Sequence, residues 1–404
     1  MARQKFSGPI KHRKVLLIAK NCYPYPVDTR LAQQLTALKI SGIPADILCL
    51  RGNNQPDMEN YGCVTIRRLM KNQGSQVGFF EYSISVFKFG ILSLFTLLKL
   101  SFKNKYRIIV VHTLPEFLIS IGLVHKLFGA KLFLDARDLS VELISSRWKS
   151  RKAGLLRACA TVVERFCTML CNEIITASSG FKRSLVSRGT PDRKITVLVN
   201  TADARIFKYD NCRKFAAIYR GLKLIYHGTV SERFGIIVAV EAMPLINKVI
   251  PESKLYIFGG YDLNYKAFIE KRIAELKLEG SVLLEGTKSL EEIYSILLTM
   301  HIGVVPYLSD SFMNLANSTK TFEYIASGLP VVESRLRSVE ELFSDACIHY
   351  AEPGNPHDLA ERIIEYCRNP LLRKQKSEKA YKEFSKYSSD LIAHLYIDLL
   401  RKYL

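Results

Sequence analysis

Pairing signals for cysteine are absent from this chain. Its nine cysteines, among them Cys22, Cys63, Cys167, Cys171 and Cys367, are odd in number and scattered, and Cys167 with Cys171 forms a lone CxxxC. That pattern argues against a disulfide-stapled fold and a thiolate zinc site, and predicts free thiols in a reducing compartment. Metal-ligand spacing is missing as well: His112, His125 and His227 are isolated and no Asp-x-Asp occurs, so neither a metal nor another cofactor is expected. The first fourteen residues are polar and basic and lack the apolar segment of a secretory signal, which predicts a cytoplasmic protein. Acidic residues are scarce in the first half. From Met1 to Arg205 there are 13 Asp and Glu against 32 Lys and Arg, whereas the remainder carries 25 against 26. A one-sided positive surface selects an anionic partner: nucleic acid, an acidic membrane or a phosphorylated substrate. Neither a recognised nucleic-acid module nor basic–aromatic interleaving occurs, so no nucleic-acid partner is expected.

What is present is alternation. At 404 residues the chain is too long for one ordinary core, and two domains are the expectation. Val15–Ala19 is a short apolar run of buried-strand type, Pro24, Pro26 and Asp28 break the chain, and a helix is predicted from Thr29 with Leu31, Leu35 and Leu38 on one stripe. Further strands are predicted at Ala45–Leu50, Cys63–Ile66, Ile108–Val111, Lys131–Leu134, Ile174–Ala177 and Ile195–Val199. The pattern restarts at Leu222–Tyr226 and continues through Leu255–Phe258, Val282–Glu285, Ile302–Val305 and Pro330–Val332. The expected fold is α/β: two Rossmann-like domains, 1–205 and 206–384, facing each other across a cleft that holds ligands at the carboxyl ends of both sheets. A C-terminal helix over about 385–404 is a candidate to pack back on the first domain.

One segment stands apart. Phe79–Phe102 is strongly apolar, but Lys88, Gly90 and Lys99 interrupt it and Lys103, Lys105 and Arg107 follow. An interfacial helix and a crossover helix packed on the sheet with a basic edge both fit it better than a membrane span.

The sharpest local feature runs from Asn317 to Pro330. Asn317 or Ser318 suits a helix N-cap and Gly328 the position past its C-terminus, giving a short helix that opens near strand tips. Free N–H groups and the positive end of the helix dipole there suit a phosphate, and Lys320 adds a full charge in the first turn. Glu323, one turn on, could accept hydrogen bonds from ribose hydroxyls. A second candidate follows the first strand of the second half: Gly228 permits close backbone approach and Arg233 suits a bidentate phosphate contact.

Together these segments resemble glycosyltransferase family 4, a group of retaining, nucleotide-sugar-dependent enzymes with the two-Rossmann GT-B fold. Gly228, Arg233 and Gly235 match the family's Gly-x-(Leu/Val)-x-x-(Arg/Lys)-x-Gly. Lys320, Glu323, Tyr324, Ala326, Gly328, Pro330, Val331 and Val332 match its Lys-x-x-Glu-Tyr-x-Ala-x-Gly-x-Pro-Val-Val. Asn200–Phe207 looks like its Asn-x-x-Asp-x-x-x-Phe link, Leu134–Leu143 its strand-tip acidic segment, and Val110-Val111-His112 its strand-then-His element. The resemblance covers nearly the whole chain. The sequence departs from it at Leu315, where many relatives carry the first of two acids eight residues apart. It departs again at Thr229 and Phe234, where many carry Arg and Lys, and at Pro24–Arg30, where a glycine pair is common.

The resemblance implies roles. Lys320 and Arg233 would bind the donor diphosphate and stabilise it as it leaves, with Ser318 and Thr319 offering further donors to the phosphates. Glu323 would hold the ribose, Gly228 and Thr229 would line the same loop, and Gly259 would line the base pocket. His112 would meet the donor sugar, and Asp28, Thr29, Arg30, Asp135, Arg137 and Asp138 would lie on the acceptor side. The implied partners are a nucleotide-sugar donor and a glycan or lipid-linked acceptor, with the basic first half a candidate for peripheral contact with an anionic membrane. An inactive GT-B-like scaffold and another GT-B enzyme, such as a sugar-nucleotide epimerase, are the rival readings.

Overall fold

The computed structural model describes residues 14–23, 29–72, 79–147 and 151–404. They divide into two compact units, 1–199 with 392–404 and 200–391, where the sequence suggested a division at 205. The first unit contains β1 (Lys14–Cys22), α1 (Thr29–Ser41), β2 (Ala45–Arg51), β3 (Met58–Tyr61), β4 (Val64–Lys71), α2 (Phe79–Ser101), β5 (Tyr106–His112), α3 (Leu123–Leu127), β6 (Lys131–Ala136), α4 (Ser140–Arg147), α5 (Arg151–Leu170), β7 (Glu173–Thr176), α6 (Ser179–Ser187) and β8 (Ile195–Val197). Its eight-stranded sheet has the order β3-β4-β2-β1-β5-β6-β7-β8. Strand β3, which the sequence reading passed over, pairs antiparallel with β4; the other pairings are parallel. Met58–Tyr61 escapes prediction because it is short and mostly exposed, with no buried run to betray it.

Leu31, Leu35 and Leu38 of α1 are fully buried against Val15, Leu17 and Ile47, and Tyr396 and Leu400 from the end of the chain join the same core. Connections leading from β4 to β5 and onward to β8 step across the sheet in the direction opposite to β1–β2. Right-handed crossovers therefore put α2, α3 and α5 on the face away from α1. Both α2 and α5 pack on the 310 turn Glu116–Gly122 that precedes α3. Gly90 of α2 lies against Leu118 of that turn, where even a methyl group would come within 3.3 Å.

The second unit contains β9 (Lys223–His227), α7 (Ile236–Val249), β10 (Lys254–Phe258), α8 (Leu263–Glu275), β11 (Val282–Gly286), α9 (Leu290–Leu297), β12 (Ile302–Val305), α10 (Thr319–Ala326), β13 (Val331–Ser334), α11 (Arg337–Glu340), β14 (His349–Ala351), α12 (Pro356–Arg368), α13 (Pro370–Phe384) and the start of α14 (Ser389–Arg401). All six strands are parallel, in the order β11-β10-β9-β12-β13-β14. Strand order reverses between β9 and β12, and in a doubly wound sheet that switch point opens a crevice at the strand tips.

Candidate functional site

Three segments meet at the β9/β12 switch point of the second unit: the turn after β9, the turn after β12 and the first turn of α10. Gly303 of β12 makes room for them. A Cβ there would fall 2.4 Å from the Tyr324 ring, so glycine lets α10 lie flat on the strand. The Tyr324 hydroxyl accepts the His227 N–H at 3.3 Å and donates to the Ile225 carbonyl at 3.3 Å, tying α10 to the end of β9.

Lys320 is the centre of the site. Its side chain is 8% exposed, and Nζ donates to the Tyr307 hydroxyl at 2.9 Å. The rings of Tyr226, Phe234 and Tyr307 surround Nζ at 5.2, 5.2 and 5.5 Å. No carboxylate is ion-paired with it among the described residues. Gly228, at φ +112, makes its passage possible: a Cβ there would sit 2.3 Å from Lys320 Cε. Both Lys320 and Glu323 are buried.

Its neighbours leave that charge uncompensated. Burial pushes the Glu323 carboxyl up to about 8 against a partial pull downward by Lys320. Glu333, which accepts from Thr321 Oγ1 at 2.9 and 3.0 Å, is likewise pushed by burial to about 8. His227 lies 3.1 Å from Glu323 through Nε2, and burial, with Lys320 adding to it, lowers its pKa to about 3. Near neutral pH the two acids are largely protonated and the imidazole is neutral. Among the described residues this leaves the Lys320 ammonium buried at a helix N-terminus without an ionised carboxylate beside it, an arrangement that suits an anion.

These pKa shifts make stability depend on pH. Unfolded, Glu323 and Glu333 ionise near 4.5, whereas in the fold they hold their protons to about 8, so rising pH removes stability across that window. His227 acts in the opposite sense, since stability falls as pH drops below 6.5 toward 3. Between about 6.5 and 8 the two acids act alone, and each costs roughly 1 kcal/mol per pH unit. Glu333→Gln keeps an acceptor for Thr321 and is expected to melt above the wild type at pH 8, with the gap closing near pH 5. Melting curves at several pH values decide it; a gap independent of pH would refute buried ionisation.

The remaining sequence candidates are distributed as follows. Ser318 is the N-cap of α10, but its side chain makes no capping bond; its hydroxyl lies 3.2 Å from that of Tyr307, because the buried tyrosine competes for it. Thr319 is the first helical residue beside it. Thr229 is exposed, and its carbonyl accepts from Tyr226 at 2.6 Å. Arg233 stacks its guanidinium 5.2 Å from the Phe312 ring. Gly259 ends β10 with φ +152, directly against the Gly228 carbonyl. Tyr307, His227 and Glu333 were not among the sequence candidates. An acid inside the apolar strand Val331–Ser334 was the available signal for Glu333, and a position just beyond a strand tip the signal for Tyr307.

In the first unit, His112 and Asp135 end β5 and β6, and both are buried. Asp135 accepts from Arg30 Nε at 3.0 Å and from Gln34 Nε2 at 2.6 Å, with His112 Nδ1 at 3.7 Å. Burial alone would raise its pKa; Arg30 leads the positive neighbours that hold it at about 2. Arg30 and Asp135 are thus spent on one another inside the fold. Thr29, Arg137 and Asp138 are half-buried nearer the surface, where the Arg137 N–H donates to Thr113 Oγ1 at 3.1 Å and the Asp138 carbonyl accepts from that hydroxyl at 3.2 Å. Asp28 lies outside the described residues.

Two Rossmann-like units on one chain, together with the solved structures to which the chain is similar, give the fold as GT-B. Residues 213–383, most of the second unit, match the family Glycosyl transferases group 1. An uncharacterized glycosyltransferase of Methanocaldococcus jannaschii is 31% identical over 166 residues, which is 40% of this chain and 42% of the relative. That match spans less than half of the relative's length. Among solved structures, sucrose-phosphate synthase from Thermosynechococcus elongatus superposes with a TM-score of 0.75 at 16% identity, covering 97% of this chain and 99% of the other. Anabaena HepE in complex with UDP-glucose gives 0.68 at 13% identity, covering 96% and 99%. An α,α-trehalose 6-phosphate synthase from Burkholderia multivorans gives 0.70 at 10% identity, covering 97% of both chains.

Proposed function

We propose that this protein is a glycosyltransferase that moves a sugar from a nucleoside-diphosphate sugar to a glycan or lipid-linked acceptor, with retention of anomeric configuration, at the cytoplasmic face of a membrane. The observation that carries the reading is Lys320: a buried cation without an ion pair among the described residues, at a helix N-terminus, on a sheet's switch point. Leaving such a charge unpaired costs folding free energy, and a diphosphate is the partner that would recover it. Anabaena HepE, a relative in fold, binds UDP-glucose.

In this reading the β-phosphate rests on Lys320 and the N–H groups of the first turn of α10, with Arg233 completing the charge. Glu323 accepts from the ribose hydroxyls. As the bond from C1 to the diphosphate breaks, the acceptor oxygen bonds to C1 on the same face and its proton passes to the departing phosphate oxygen. Lys320 stabilises the charge that develops there, and no resident metal or cofactor is invoked.

The test is thermal melting with UDP, GDP, CMP and their sugar conjugates. One nucleoside diphosphate at a hundredfold excess over its Kd is expected to raise Tm by several degrees, from about 2.7 kcal/mol of linkage. A folded protein that no nucleotide shifts would favour the inactive scaffold, the reading that Leu315 in place of an acid supports.

A further inference from the structure

Helix α2 carries two apolar stripes, and among the described residues only one of them is covered by the fold. Val86, Phe89, Ser93 and Leu97 are buried at i, i+3/i+4 spacing against the first sheet and the Glu116–Gly122 turn. On the opposite side Ile84, Phe87, Ile91, Phe95 and Leu98 are all exposed, with Phe87 and Phe95 at 67% and 66%, and Phe102 in the turn just past the helix is exposed as well. At 100° per residue the five helical positions fall within an arc of about 80°. Helix α5 repeats the arrangement: Leu155, Val162, Phe166 and Met169 are exposed along one stripe. Between them on the same face of the sheet, Leu127 and Phe128 at the end of α3 are 86% and 82% exposed. Scattered exposed apolar residues need no explanation, but three adjacent helical elements baring them on one face do.

Charge selects the occupant. Between residues 79 and 170 there are 14 Lys and Arg against six Asp and Glu. Four of the six acids are buried: Glu116 accepts from Ser140, Glu142 and Glu164 both pair with Arg188, and Asp135 pairs with Arg30. The outward charge is therefore strongly positive, with Lys88 and Lys99 beside the α2 stripe and Lys103, Lys105, Arg157 and Arg165 exposed nearby. A second copy of this surface would be repelled, whereas anionic headgroups over an apolar interior match both the stripe and its basic border. The Glu81–Ser101 window of α2 has the mean hydropathy of a span, 1.6, yet its inner stripe is held on the sheet, so a bilayer could meet only its outer side.

We infer that the outer face of α2, α3 and α5 is a monotopic docking surface that seats the first unit on an anionic lipid bilayer, with Phe87, Phe95, Phe128 and Phe166 entering the headgroup–acyl boundary. The inference deepens the membrane part of the proposed function and names the surface responsible.

The experiment is co-sedimentation of the full chain with phosphatidylcholine vesicles, with and without phosphatidylglycerol, alongside the nucleotide melting shift as a fold control. Wild type is expected on the anionic vesicles, with binding weakened but not lost at physiological salt. Phe87→Glu/Phe95→Glu should reduce it by at least about tenfold while Phe87→Leu/Phe95→Leu retains it. The inference is overturned by three results. These are no anionic-vesicle binding by a protein that still shifts with nucleotide, binding indifferent to the glutamates, and wild-type self-association that the glutamates abolish. Vesicle binding without a nucleotide shift would support the docking surface and overturn the sugar-transfer reading.

Discussion

Lys320→Ala is expected to lower sugar transfer by about 10²- to 10³-fold, the scale of losing one preorganised donor from a dry site. The stability effect should run the other way in Lys320→Met, which keeps the volume between Tyr226, Phe234 and Tyr307 and removes an unpaired buried charge. Without donor, Lys320→Met should melt at or above the wild type; with donor, it should lose the nucleotide-induced shift. Opposite signs in activity and stability are what a functional charge produces and a structural one does not. Release of nucleoside diphosphate and calorimetry measure the two quantities. A Tm that falls together with activity would show that Lys320 serves the fold and would sink the donor-site assignment.

The largest stability effect is expected at Gly259. Its φ of +152 lies where side chains are strained, and a Cβ there would fall 1.8 Å from the Gly228 carbonyl oxygen. The obstacle is backbone at the tip of the neighbouring strand, which cannot swing aside as a side chain could. Gly259→Ala should therefore cost more than about 3 kcal/mol, lowering the melting temperature of the second unit by roughly 6–12 °C or preventing its folding. Gly280→Ala is the contrast, since nothing lies within 4 Å of its added methyl, and it should change Tm little. Equal melting of the two variants would mean that β9 and β10 separate at their tips more readily than this geometry allows.

Much of the fold was legible in the sequence because parallel strands buried on both faces read as continuous apolar runs. Val15–Ala19, Ile108–Val111 and Ile302–Val305 all fall within strands, and Gly228, Gly259 and Gly328 take positive φ at turns. The donor segment was legible through Lys320, Glu323 and Gly328 at their spacing. Its electrostatics were not. The approach of Glu323 to His227, almost a hundred residues earlier, and enclosure of Lys320 by Tyr226 and Tyr307 depend on how β9, β12 and α10 come together. The same holds for Ser318, whose hydroxyl turned from capping to Tyr307, and for Asp135, whose partners Arg30 and Gln34 lie on a helix a hundred residues away.

The sequence by itself determined that the chain forms two α/β units, which residue types stand at each strand tip, and that the positive charge is concentrated in the first half. These follow from local periodicity and composition, which no distant contact can alter. Only the tertiary structure decided which charges are buried and which apolar residues are left outside. Periodicity makes Phe89 and Phe95 equally apolar, but the sheet has room for one stripe of α2, so Phe89 is enclosed and Phe95 faces out. Likewise Lys320 is one lysine among many until Gly228 and Gly303 let it thread beneath the strand tips, where low polarity strengthens the field of an ordinary charge.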